Sequence, residues 1–314
     1  MVNYLITGAT GFLGSHLAKR LNKEDSRVYI SNTKTANLEK VKNIVEAYKD
    51  ISFDYIFHLA AVTKAGDYCL HHQGDQWIQN QIINTNILQY WKQYQPQAKM
   101  VCMGTSCSYA SNIPMLETNY LLGEPEYSLY TYGMTKRMLL IGLQALENQY
   151  GLEWLYFIPS TLYGPGFELD DNHFIFDLIR NCYNAKYKNK PFVVWGDGKQ
   201  RRELIYIDDA INTMLQLLPN KNEIFNLGSG QDYSINEFAE KVCKIYGYDH
   251  KQIEHDITKY VGVKEKKIDT NKVVKYTNRK NFLQTSLDKG LYQSIKYFTE
   301  ASNKDKLNNK TLGL

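Results

Sequence analysis

Two kinds of apolar pattern alternate along this chain. Val2–Ile6, Arg27–Ser31, Tyr55–Ala61, Lys99–Gly104 and Leu152–Pro159 are short, nearly continuous apolar runs. Between them, Ser15–Leu21, Trp77–Gln93 and Tyr132–Gln149 place apolar residues at helical spacing. Runs of the first kind suit strands buried on both faces, and stretches of the second suit amphipathic helices. Their alternation predicts an α/β fold with a mostly parallel sheet. After Pro159 the turn-rich segment Ser160–Gly166 marks the start of a second domain. There the pattern predicts helices over Asn172–Tyr183 and Ser234–Tyr246, the latter with Ser234 as its cap, and strands over Pro191–Trp195 and Glu223–Leu227. Arg201–Asp209 leads into another helix, and the Lys- and Asn-rich tail after Ala301 is expected to fray. The expected division is 1–160 for the first domain, with 203–228 packing back onto it, and 161–202 with 229–314 for the second.

Composition narrows the function classes. A length of 314 residues leaves ample surface to bury, and 43% hydrophobic with 22% charged residues is ordinary for a globular protein. The net charge of +4 comes without a Lys/Arg block, which argues against nucleic acid but suits an anionic small substrate. No apolar stretch is long enough to span a membrane. The N-terminus runs straight into a strand, so no signal peptide is expected. Cys69, Cys102, Cys107, Cys182 and Cys243 show neither zinc spacing nor a disulfide framework, which points to a reducing cytoplasm.

The candidate chemistry follows the strand ends. Gly8, Thr10, Gly11, Phe12, Leu13 and Gly14 form a glycine turn between a strand and a helix, the context in which such a turn holds a dinucleotide diphosphate at a helix N-terminus. At the end of the second strand, Ser31, Asn32 and Lys34 stand where an NAD-binding carboxylate would be. This favours NADP(H) over NAD(H), although Lys34 reads equally well as a solvated loop charge. Small residues at Leu59, Ala60 and Ala61 would let a cofactor lie over the strand end. Asn80 is either a brace for the site or a solvated amide, and Thr105 either binds a substrate oxygen or closes its strand as an ST-turn. Tyr132 and Lys136 lie one helical turn apart, so an ammonium sits beside a phenol and stabilises phenolate. A phenol tuned in this way can exchange a proton with a carbonyl or hydroxyl oxygen.

Together Gly8, Gly11, Gly14, Asn80, Thr105, Tyr132 and Lys136 resemble the extended short-chain dehydrogenase/reductase family of nucleotide-sugar enzymes. The resemblance runs to about residue 298 and includes Leu162–Pro165, Arg202–Asp209, Phe225–Gly228 and Ser286–Leu291. It implies a Rossmann-type doubly wound parallel sheet with a smaller C-terminal α/β substrate domain, and a homodimer. It also implies cofactor contacts at Pro159, Tyr132 and Lys136, and a catalytic group of Thr105, Tyr132 and Lys136. Within the family the pattern is nearest to enzymes that epimerise a GDP-4-keto-6-deoxy sugar at C3 and C5 and then reduce C4. Their Cys and His acid/base pair corresponds to Cys107 and His173, and Thr105, Ser106, Thr161 and Arg180 are further candidate substrate contacts. Arg202 and Lys266 are candidates for neutralising the diphosphate, although the lysine stretch Lys264–Lys267 reads equally well as a solvated charge run, and Trp195 either packs beside the nucleotide or is a core tryptophan. Proton exchange beside a ketone suits a thiol and an imidazole on opposite faces of the sugar. From the residues alone, Cys107 also reads as a small buried hydrophobe and His173 as an ordinary helix-start residue. Two further readings therefore stay open: a simple 4-keto reductase or 4-epimerase of another nucleotide sugar or heptose, and a non-catalytic sugar-nucleotide or NADP sensor.

Overall fold

The computed structural model describes residues 1–63, 68, 71–259, 261–277 and 284–311; Cys69 lies outside them. Its strands in chain order are β1 (Val2–Thr7), β2 (Ser26–Ser31), β3 (Tyr55–His58), β4 (Lys99–Met103), β5 (Trp154–Pro159), β6 (Thr161–Tyr163), β7 (Phe192–Trp195), β8 (Arg201–Tyr206), β9 (Glu223–Leu227), β10 (Asp232–Ser234), β11 (Ile253–Asp256) and β12 (Glu265–Lys266). The chain divides into two units. The first is Met1–Ser160, Ala210–Leu227 and Ile268–Phe282, and the second is Thr161–Asp209, Gly228–Lys267 and Leu283–Leu314.

The first unit is built on a six-stranded sheet ordered β2-β1-β3-β4-β5-β9, with every neighbouring pair parallel. This is the doubly wound Rossmann-type arrangement. Leu5, Ile6, Ile56, Phe57, Met100, Val101 and Leu155 are fully buried, which is why these strands read as continuous apolar runs. Each such side chain contributes about 1.5–3 kcal/mol on burial.

The helices Gln73–Tyr94 and Tyr130–Tyr150 share a division that the overall pattern conceals. Towards their C-terminal ends they bury Ile87, Tyr90 and Trp91, and Leu139, Leu140 and Leu143. Nearer their N-terminal ends they bury Gln76, Asn80 and Asn84, and Thr135, Lys136 and Arg137. The apolar parts make core, and the polar parts serve the strand ends described below.

In the second unit β8 is central. It pairs antiparallel with β10 and parallel with β6 and β12, while β7 and β11 form a separate parallel pair. Those partners hold residues 203–209 in the second unit, so the returning segment is 210–227 rather than 203–228. The segment from Ile268 also returns to the first unit, where Asp269 N–H donates to Met115 O and Ile268 is buried. The Ser234 cap forms a full capping box with Glu237. The tail expected to fray continues the helix Leu287–Thr311. The short strands β6, β10 and β12 were not anticipated, because two or three residues show no period and are set by tertiary pairing alone.

Gly8 and Gly14 fix the first crossover. Gly8 has φ +69°, and a Cβ there would lie 2.6 Å from Ala60 N. A Cβ on Gly14 would lie 2.2 Å from Gly8 O, a rigid backbone atom. Gly74, in the first turn of its helix, meets nothing within 4 Å. Gly14→Ala is therefore expected to lower the thermal midpoint markedly. Gly74→Ala should leave it unchanged or raise stability by about 0.5–1 kcal/mol, and thermal unfolding of the two variants checks the contrast.

Candidate active site

The carboxyl edge of the parallel sheet gathers the first group of residues. Gly11 starts the helix Phe12–Leu21, which has neither a side-chain cap nor an acidic residue in its first turn. Thr10 and Gly11 are exposed, and Phe12 and Leu13 half-buried. Backbone N–H groups at such a terminus are available to an anion. This glycine-lined helix start fits the diphosphate of a dinucleotide. At the end of β2, Asn32 Oδ1 accepts from the N–H groups of Lys34 and Thr35, so this side chain shapes the loop there.

β3 stops at His58, and Leu59, Ala60 and Ala61 leave the ladder half-buried. Leu59 and Ala60 donate their N–H groups to Thr7 Oγ1. Thr7 Oγ1 lies 2.9 Å from His58 Nδ1, and His58 Nε2 lies 3.0 Å from Asn84 Oδ1. Because Asn84 Oδ1 can only accept, His58 carries its proton on Nε2 and Nδ1 accepts from Thr7. Burial pushes the imidazole down to about 4, with the Lys136 charge adding to the effect, so it stays neutral. Next along the chain, Asn80 Oδ1 accepts from Val62 N–H and Asn80 Nδ2 donates to Val62 O and Gln76 O. Asn80 thus braces this strand end. Thr7, His58 and Asn84 were missed as partners because their sequence signal is that of ordinary core and helix positions.

Thr105 follows β4 and caps the short turn Ser106–Ser108, its Oγ1 accepting from Cys107 N–H at 3.2 Å. An ST-type cap uses only the acceptor side of the hydroxyl, which leaves its proton to be donated to a substrate oxygen. Cys107 is half-buried and Ser106 buried. Tyr132 is half-buried in the first turn of the helix Tyr130–Tyr150, and Lys136 follows one turn later at 7% exposure. Burial pushes the Lys136 ammonium from 10.5 down to about 8, against a smaller opposing effect of Cys102. Arg137, which sequence reasoning passed over, ties the loop after Cys107 to this helix. It donates to Gly123 O at 2.6 Å, Ser108 O at 2.5 Å and Leu122 O at 3.0 Å. Pro159 is half-buried at the end of β5.

The second unit carries the remaining candidates. His173 is the N-cap residue of the helix Phe174–Lys188. Its Nδ1 lies 2.6 Å from Asp171 Oδ1, which also accepts the His173 backbone N–H. Burial alone would raise the Asp171 carboxyl, but the hydrogen bond and charge of His173 outweigh it and hold the group below its usual range. Arg180 donates to Leu169 O, Asp171 O, Asn172 Oδ1 and Asp177 Oδ1. Its guanidinium thus braces the loop that holds His173. Arg202 likewise donates to the carbonyls of Arg201, Val261 and Val263, and lies beside Lys266 in the β8–β12 register. Trp195 is 54% exposed with Lys259 Nζ 5.5 Å from its ring centroid, and Thr161 is half-buried at the start of β6. No helix among the described residues is long and apolar enough to cross a membrane.

The model of the NAD dependent epimerase/dehydratase family matches residues 4–228. The chain is similar to a GDP-L-colitose synthase of Yersinia pseudotuberculosis, with 27% identity over 316 residues covering 96% of this chain and 99% of that protein. It is also similar to a GDP-L-fucose synthase of Sinorhizobium fredii, with 28% identity over 301 residues covering 93% and 94%. In fold it resembles a GDP-6-OMe-4-keto-L-xylo-heptose reductase from C. jejuni, with TM-score 0.86, 20% identity and coverage of 96% and 98%. It likewise resembles a GDP-L-fucose synthetase from Naegleria fowleri bound to NADP, with TM-score 0.84, 22% identity and coverage of 96% and 95%.

The buried ammonium has a measurable consequence. At pH 7 Lys136 is charged in both folded and unfolded chains, and the folded chain bears the desolvation. Between about 8 and 10.5 the unfolded chain binds the extra proton, so this group makes stability rise with pH across that window. Lys136→Met is expected to raise the thermal midpoint at pH 7 by roughly 5 °C. The gain should shrink as the pH approaches 10, and thermal unfolding across that range reads both.

Proposed function

This chain belongs to the NAD dependent epimerase/dehydratase family, and we propose that it is an NADP(H)-dependent epimerase-reductase of a GDP-4-keto-6-deoxy sugar, exchanging protons at C3 and C5 and reducing C4. The observation that carries the reading is the buried Lys136 ammonium one helical turn from Tyr132 on the helix that packs against the Thr105–Cys107 turn. Two relatives named GDP-L-colitose synthase and GDP-L-fucose synthase, similar over more than nine-tenths of the chain, support the substrate class. A fold neighbour bound to NADP and the lack of a carboxylate after β2 support the cofactor.

In the epimerase half, the Cys107 thiol and the His173 imidazole remove and return protons on carbons beside the ketone. Asp171 engages Nδ1 of His173, so exchange falls to Nε2. In the reductase half, the hydride for C4 would come from NADPH when it is bound. Thr105 donates a hydrogen bond to the ketone oxygen, keeping its own proton, and holds the oxygen in place. Tyr132 delivers a proton to the same oxygen as its charge develops. Lys136 keeps the phenol acidic enough to give that proton and holds the cofactor ribose. Trp195 offers an exposed aromatic face to the guanine, and the charges of Arg202 and Lys266 offset the diphosphate.

The protein acts as a cytoplasmic homodimer in supplying an activated sugar for polysaccharide synthesis. Supporting the dimer, Trp77, Ile78 and Ile82 on one helix and Met138 and Ile141 on the helix packed against it are exposed.

The test is the reaction of GDP-4-keto-6-deoxy-mannose in D2O, first without and then with NADPH. Deuterium is expected to enter the sugar without NADPH, and Cys107→Ser should abolish that uptake. NADPH is expected to be consumed in the second stage, and Tyr132→Phe should slow this by about 100-fold or more. NADPH consumption without enzyme-dependent deuterium uptake would leave a 4-keto reductase, with Cys107 and His173 structural. If neither signal appears, the substrate assignment fails and binding of other sugar nucleotides becomes the next measurement.

A further inference from the structure

Gly104 closes β4, and a Cβ there would lie 2.5 Å from Tyr156 Cε1 and 2.7 Å from Tyr120 Oη. Two phenols therefore occupy the space beneath the strand end where that side chain would stand. Both are completely buried, and their oxygens lie 3.2 Å apart. Neither belongs to the motifs that identify the family.

Their hydrogen bonds run from one half of the reductase group to the other. Thr105 N–H donates to Tyr120 Oη at 3.3 Å. Tyr120 O–H donates to Ser108 Oγ at 3.0 Å, and Ser108 O–H donates to Gly133 O at 3.0 Å. Tyr156 O–H donates to Lys136 O at 2.7 Å. The receiving carbonyls are those of Lys136 itself and of the residue after Tyr132. On one side stands the turn bearing Thr105 and Cys107, and on the other the helix bearing Tyr132 and Lys136.

We propose that Tyr120 and Tyr156 are a pair of positioning residues that set the separation between Thr105 and the Tyr132–Lys136 face. Burial raises the pKa of Tyr120, and raises that of Tyr156 well above the ordinary phenol value. Both remain protonated donors over any working pH. The arrangement is a rigid spacer: oxygens of fixed reach, on rings that cannot move without opening a cavity. A proton handed from Tyr132 to an oxygen held by Thr105 depends steeply on that spacing, because misplacement by about 1 Å costs on the order of 100-fold.

The inference rests on the reductase half of the function proposed above, so its test has one arm that needs no sugar. In that arm, the phenolate absorbance of Tyr132 is titrated with NADP bound and isolated by subtracting the Tyr132→Phe protein. Tyr156→Phe is expected to move that titration to higher pH, as Lys136 is released from its place. In the kinetic arm, Tyr156→Phe should lower kcat for NADPH oxidation about tenfold while both KM values change less than about twofold. Tyr120→Phe should do the same and also slow deuterium uptake, since it loosens the Cys107 turn. Ser108→Ala, a smaller excision from the same chain, should follow Tyr120→Phe and guards against a variant that fails to fold. Tyr109→Phe is the control. Its hydroxyl donates to Asn226 Oδ1 rather than towards the helix, so it should lose stability with kcat unchanged.

If the native protein turns over no sugar, the proposed substrate is wrong and the Tyr132 titration alone decides the positioning role. A titration unmoved in Tyr156→Phe overturns the proposal. So does a Tyr156→Phe kcat within about twofold of native, or a loss matched by the Tyr109→Phe control.

Discussion

A cation placed in the interior with no carboxylate partner among the described residues is the constraint around which the first unit is arranged. In the proposed function Lys136 must keep its charge to act on the neighbouring phenol, yet burial opposes that charge and pushes its pKa down to about 8. The surroundings leave it charged at neutral pH without cancelling it. Cys102 on β4 stays a thiol, pushed by burial up to about 12. His58 at the end of β3 stays a neutral imidazole, fixed in one tautomer by Thr7 and Asn84. A carboxylate in either place would pin the ammonium in an ion pair and dull its effect on Tyr132. A charged imidazole would repel it. Uncharged, hydrogen-bonded neighbours are what remains, and Asn84, buried on the helix Gln73–Tyr94, is one of the groups that holds them so.

The same reasoning separates what could be read in the chain from what could not. The glycine turn at Gly8–Gly14, the Tyr132–Lys136 spacing and the Ser234 cap are local: each lies within a few residues and follows from backbone geometry. The parallel sheet is nearly local, since burial on both faces leaves continuous apolar runs. Tyr120, Tyr156 and Arg137 left no such trace. An isolated tyrosine in β5 looks like strand core, and an arginine after Lys136 looks like a solvated helix face. Their roles depend on partners 12 to 36 residues away in the chain, and no periodicity encodes that pairing. Asp171 is a smaller case: it sits two residues before His173, but an acidic loop residue has no signature until its oxygen is seen against the ring.

Arginine shows a different limit. Composition counts Arg180 and Arg202 as positive charge for an anionic ligand, but it cannot see where their hydrogen bonds go. Arg180 spends its donors on the loop around His173, and Arg202 on the carbonyls of Val261 and Val263. A guanidinium has five N–H donors and keeps its charge whatever they bind. Both residues still contribute to the local potential, but as members of the scaffold. The indole of Trp195 differs in kind: it stays 54% exposed, with Lys259 Nζ 5.5 Å from its ring centroid.

The turn after β4 ties the two halves of the proposed chemistry together. Thr105, which would hold the ketone oxygen, is the cap of the turn that presents Cys107, and the cap bond runs from the Cys107 amide to the Thr105 hydroxyl oxygen. The carbon that exchanges a proton and the oxygen that receives one are neighbours in the same sugar, so their two protein partners need a fixed relation. A two-residue cap supplies it more rigidly than contacts from separate elements would. Substrates whose ketone and exchanging carbon differ in spacing would require a different turn, not merely different side chains. On the proposed function, selectivity for a 4-keto sugar would reside first in the backbone between Gly104 and Tyr109, and only then in the groups it displays.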